Sequence, residues 1–205
     1  LWGYLAHEAG HCRFTDFSVR KPAGIAGEML NAVEDSRIER AQMGVFPGTR
    51  RTLNAVAEYM LQQGMYQVPN AEHHPAQILC SYALYWLQGR LVGQGCLNDN
   101  LVKTRQVAET VFGPGWITRL EHLLRKGAKL GSTQEALNLA NEIMQLVKDE
   151  IQDLDDQNQD PGDGHGQDQD QDQDSGQDQG QDSGQDQDQD SGQDQGQDSG
   201  QDQDQ

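Results

Sequence analysis

The end of the chain lacks every residue type from which a core is built. No aliphatic or aromatic side chain occurs after Leu154, and no lysine or arginine after Lys148. From Gln157 to Gln205 the sequence is almost wholly Gln, Asp, Gly and Ser, with one Pro, one Asn and one His. Such a segment has no apolar surface to offset the entropy of ordering, so the sequence predicts a disordered acidic linker over 157–205. Charge divides at the same place. Fifteen basic against eighteen acidic residues leave positions 1–156 at -3, and the other -15 of the chain's -18 falls in the tail.

Other absences narrow the function classes. No apolar run approaches the roughly 20 residues a membrane helix needs, and no charged segment leads into an apolar one as in a signal peptide. The expected compartment is therefore the cytoplasm, with no membrane partner. The opening "LWGYLAHEAGH" has no initiator Met and reads as the middle of a helix, as in a piece of a longer protein. Cys12, Cys80 and Cys96 form neither an even set nor a CxxC pair, which argues against a disulfide framework and a thiolate zinc cluster. There is no phosphate-binding loop, serine triad or basic nucleic-acid surface, and the acidic tail would repel nucleic acid. The tail also fails as a calcium loop. "DQDQDSG" from Asp170 supplies acids at loop positions 1, 3 and 5, but Ser175 stands where glycine is required and no glutamate closes the loop.

What the first 156 residues do contain is helical periodicity without strand alternation, so they predict a single all-α domain. After a first helix and the turn "RFTDFSVRK", Pro22 leads into a helix over about 23–43. "RRTLNAVAEYMLQQG" is a third, ended by Gly64. Pro75 opens a fourth, "AQILCSYALYWLQG", apolar all round and so expected to be buried. Further helices are expected at about 98–112 and 115–126, and a last one from a capping box at Ser132 and Glu135 to about Leu154.

The chemistry lies in "AHEAGHCRFTDF". His7 and His11 are one helical turn apart, so both imidazoles project from one face at a spacing that suits a single Zn²⁺. Glu8, rotated by about 100°, flanks that position, where it could take a proton from an attacking water. This is the HExxH pattern of zinc peptidases. Ala9 and Gly10 are small enough to admit a neighbouring element, and "LWGYLA" reads as the start of a buried helix.

A catalytic zinc normally has three protein ligands and an open position. The second helix carries adjacent acids, Glu34 and Asp35. On a helical wheel Glu34 falls in an apolar stripe with Leu30, Ile38 and Ala41, whereas Asp35 falls on a polar face with Glu28, Asn31, Glu39 and Gln42. A buried carboxylate needs a pair or a metal, which makes Glu34 the candidate third ligand. Asp35 is the alternative ligand, and Asp35 or Asn31 could instead orient a histidine. A salt bridge from Glu34 to Arg37 is the structural alternative. His73 and His74, in a loop before a proline, read as solvated or as electrophiles for a transition state. His122 reads as surface and Cys12 as a small buried residue. Tyr59, Tyr66, Tyr82 and Tyr85 read as core or as oxyanion donors.

"HEAGHCRFTDF", then "NAVEDSRIER", a helical remainder and an acidic low-complexity segment together resemble the metallopeptidase-like region of cobaltochelatase CobT-type proteins. The resemblance covers about 1–40 in detail and the rest in architecture. It implies His7, His11 and Glu34 as zinc ligands and Glu8 as base. It also implies a von Willebrand factor A domain beyond the acidic linker and a MoxR-like or CobS-like AAA+ ATPase as partner. The expected activity is cleavage of a peptide or protein substrate, or a non-proteolytic role as a chelatase subunit in cobalamin biosynthesis or as an adaptor.

Overall fold

A computed structural model describes residues 1–158. These residues fold into one helical domain with no strand among them, as their periodicity predicts. The helices are α1 (Trp2–Phe14), α2 (Gly24–Val45), α3 (Thr49–Gln62), α4 (Pro75–Trp86), α5 (Asn98–Phe112), α6 (Pro114–Leu124) and α7 (Thr133–Asn158). The final helix passes the boundary expected at 156, and the linker predicted over 157–205 otherwise lies outside the described residues. No described helix is long and apolar enough to cross a membrane.

The apolar fourth helix is the centre of the core. Ile78, Leu79, Tyr82, Ala83, Tyr85 and Trp86 are all buried there, against Met29 and Val33 of α2, Leu101 of α5, Ile117 and Leu120 of α6, and Leu139 and Ile143 of α7. Each large apolar side chain so buried stabilises the fold by about 1.5–3 kcal/mol before chain entropy is counted. After Trp86 the helix widens into a π-helical turn, Leu87–Val92, that the periodicity did not signal. It stops at Gly93, whose φ of 88° suits glycine and few other residues.

Local signals held with small shifts. Pro75 is the first residue of α4, with His74 as its N-cap. Pro22 lies before the cap residue Ala23 and so outside α2, and that helix runs through Gly44 to Val45. The capping box forms by half. The Glu135 N–H donates to Ser132 Oγ, but the Glu135 carboxylate accepts from the Gly131 N–H instead of reaching back to Ser132.

Two glycines set how closely α1 lies on its neighbours. A Cβ at Gly10 would stand 2.9 Å from Ile38 Cδ1 of α2, and one at Gly3 would meet Val56 and the carbonyl oxygen of Thr52 on α3. The small residue expected to admit a neighbour at position 10 therefore does so. The apolar opening of α1 is not buried as expected: Trp2 is 75% and Leu5 49% exposed.

Candidate metal centre

Helices α1 and α2 run antiparallel, and this register brings two one-turn pairs face to face. His11 Nε2 lies 3.2 Å from Asp35 Oδ1, and His7 Nδ1 lies 2.9 Å from Glu39 Oε1. His7 Nε2 is 4.0 Å from the same Asp35 oxygen. One ligand atom each from His7, His11 and Asp35 falls within 4.8 Å of the others, and all three side chains are partly exposed.

The hydrogen bonds around the rings call for an N–H at each Nδ1. Thr15 Oγ1 donates to Glu34 Oε1 and so accepts from His11 Nδ1, 3.0 Å away. His7 Nδ1–H donates to Glu39, whose other oxygen accepts from Gln94 Nε2 at 3.0 Å. Both Nε2 atoms then face one carboxylate. That arrangement calls for positive charge, which protons on the rings or a single metal ion shared by all three groups would supply. Glu39 and Thr15 stand where outer partners of metal-binding histidines stand, fixing ring orientation. The Glu39 hydrogen bond raises the affinity of His7 for a proton against the opposing effect of burial, with Asp35 and then Glu8 adding to the rise.

Glu34, the first choice of third ligand, makes the Arg37 salt bridge that was its structural alternative, and Asp35, the alternative ligand, is the acid that faces the histidines. Glu34 is buried as expected, but its Oε2 accepts from Arg37 Nε at 2.7 Å. Its Oε1 accepts from Arg37 Nη2 at 2.7 Å and from Thr15 and Thr133 at 2.9 Å each. Three donors crowd Oε1 and one engages Oε2, so the carboxylate is already paired with Arg37, and no ring nitrogen of His7 or His11 is among its partners. Burial pushes the Glu34 carboxyl up, and the bonds from Arg37, Thr15 and Thr133 more than offset it, leaving the group below the usual range. Asp35, by contrast, makes no hydrogen bond among the described residues and has the two histidine Nε2 atoms facing it.

Glu8 is exposed, makes no hydrogen bond among the described residues, and acts on His7 through its charge. Asn31 makes no hydrogen bond to either ring, and it lines a groove between α2 and α4. His73 is exposed in its loop, and His122 is exposed on α6. Cys12 is exposed, contrary to the buried position expected for it. Tyr59 is half exposed, Tyr82 donates to Glu121, and Tyr85 donates to the Gln67 carbonyl. Of the four tyrosines, Tyr66 is near enough to Glu39 and Asp35 to feel both charges, which add to a rise caused chiefly by burial.

Compared with family models, curated proteins and solved structures, the chain matches none. The reading of the site thus rests on its own geometry.

The outer partners were the residues sequence reasoning missed. Glu39 was placed on a polar face and Thr15 in a turn. The available signal was the matched spacing, His7/His11 on one helix and Asp35/Glu39 on the next, each pair four residues apart.

Proposed function

We propose that this domain is a metal-dependent hydrolase of peptide bonds, with Zn²⁺ held by His7, His11 and Asp35. The observation that carries the reading is the convergence of two imidazole nitrogens and one carboxylate oxygen, with Glu8 next in sequence to His7 and unpaired among the described residues. Two nitrogens and one oxygen suit zinc and leave an open position. Bound there, the ion would polarise the substrate carbonyl and lower the pKa of water.

The chain's own groups do the rest. Glu8 accepts a proton as the water oxygen bonds to the carbonyl carbon, and passes it to the leaving nitrogen as the C–N bond breaks. Glu39 and Thr15 hold the two rings so that their Nε2 atoms stay on the reacting side. Glu34 and Arg37 hold Thr15 in turn, tying the site to the start of α7 through Thr133.

Elemental analysis of the purified chain and peptidase assays test this reading. Zinc at one ion per chain is expected, retained in Glu8→Gln and lost in His7→Ala and His11→Ala, with cleavage abolished in all three. Two histidines and a carboxylate also serve non-haem Fe²⁺, so iron in place of zinc would redirect the reading. A chain that holds no metal at any stage of preparation refutes it.

A second reading is favoured by the exposed apolar side chains at the start of α1 and the end of α2, among them Trp2 at 75% and Phe46 at 45%. Such a surface fits docking of a partner, as in a chelatase-type subunit working with an AAA+ ATPase. In that case Glu8→Gln retains function, and Trp2→Ser abolishes co-purification of an ATPase.

A further inference from the structure

Asp35 belongs to two features at once. One of its faces meets the histidines, and it also lines a groove of about 630 Å³ between α2 and α4. The α2 wall carries Glu28 and Asn31 besides Asp35, and the α4 wall carries His74, Gln77 and Ser81. No lysine or arginine lines it. Glu28 is exposed and has no ion-pair partner among the described residues. The thiol of Cys80 beside it is pushed up to about 12 by burial and by Glu28 itself, so it adds no charge of its own near neutrality.

We propose that this groove binds the polypeptide substrate of the metal centre, in extended form, with a lysine or arginine side chain against Glu28. The inference rests on the hydrolase reading for the word substrate, and on the groove alone for what it binds. The amides of Asn31 and Gln77 and the hydroxyl of Ser81 provide both donors and acceptors, which an extended backbone needs. His74 adds a donor of fixed kind: its Nδ1 accepts from the Ala76 N–H, so its ring proton is on Nε2.

The spacing gives the position of the basic residue. Glu28 and Asp35 are seven residues apart, within about 20° of the same helix face and separated by about 10.5 Å along it. An extended chain covers that distance in about three residues. The basic side chain therefore falls about three residues from the bond presented at Asp35.

The experiment uses the full chain with zinc and three fluorescein-labelled decapeptides of Gly, Ala and Ser, carrying one Lys, one Glu or neither. Anisotropy titration should show the Lys peptide bound about five-fold tighter than the neutral one, with the Glu peptide weakest. Glu28→Gln should erase the preference, leaving neutral-peptide affinity and zinc content unchanged, and Gln77→Arg on the opposite wall should weaken the Lys peptide. Equal binding of the three peptides, or a preference that survives in Glu28→Lys, overturns the groove inference. Absence of cleavage with the Lys preference intact refutes the hydrolase reading instead, and keeps the groove as a site for basic segments.

Discussion

Exchanging the acidic neighbours Glu34 and Asp35 for their amides separates a structural carboxylate from a ligating one. In Glu34→Gln the Arg37 guanidinium stays buried, 4% exposed, without the charge that offsets its desolvation. Breaking one side of a buried pair costs about 3–5 kcal/mol. For a domain of this size, at roughly 2–4 °C per kcal/mol, the melting temperature should fall by about 6–20 °C. Zinc stoichiometry should persist at saturating metal, with affinity lowered by no more than about 10–100-fold, because Glu34 reaches His11 only through Thr15. Asp35→Asn should do the reverse: a partly exposed carboxylate with no internal donor is lost with little effect on the metal-free melting temperature, while zinc no longer survives gel filtration. Differential scanning fluorimetry with and without chelator, paired with elemental analysis, reads both quantities. A Glu34→Gln protein that melts like the parent and loses its metal, beside an Asp35→Asn protein that keeps it, would refute the assignment.

Two further outcomes follow from the same contacts. The Glu34 carboxyl lies below its usual value in the folded chain, so the unfolded chain binds its proton more readily; the stability it contributes is present above about pH 4.5 and is lost as pH falls through the lower folded value. Urea midpoints from pH 5 downward should therefore fall less steeply in Glu34→Gln than in the parent, and parallel curves would contradict this. Gly3→Ala drives a Cβ into the Thr52 carbonyl, which is backbone and cannot rotate away, so it should cost about 1–3 kcal/mol in a denaturation series; an unchanged midpoint would show that α1 and α3 are not in contact as described.

Most of the fold was legible because its signals are local. Pro75, Gly64 and Ser132 mark helix ends by chemistry that acts within a turn, and the all-round apolar face of "AQILCSYALYWLQG" can be satisfied only at the centre of a bundle. The π-helical turn at Leu87–Val92 was not legible, since its residues have no period that separates it from a continuing α-helix. The burial of "LWGYLA" was misjudged for a related reason: apolar composition reports what a helix could bury, not whether a neighbour covers it, and Trp2 and Leu5 are left exposed.

The site shows the limit more sharply. The wheel correctly put Glu34 in the interior, but a buried carboxylate and a metal ligand are different things, and they differ in the number of donors already pointed at the oxygens. Arg37, Thr15 and Thr133 come from three separate elements, and only Arg37 is near enough in sequence to be suspected. The so-called polar face of α2, holding Asp35 and Glu39, is polar because α1 lays His7 and His11 across it, with Gly10 letting the two helices approach. Burial periodicity therefore points to Glu34, whereas the contact between α1 and α2 puts its neighbour Asp35 opposite the histidines. Pairing the four-residue spacings of successive helices, HxxxH against DxxxE, would have selected Asp35 and found Glu39 with it, because antiparallel helices in contact bring residues one turn apart on one into register with residues one turn apart on the other.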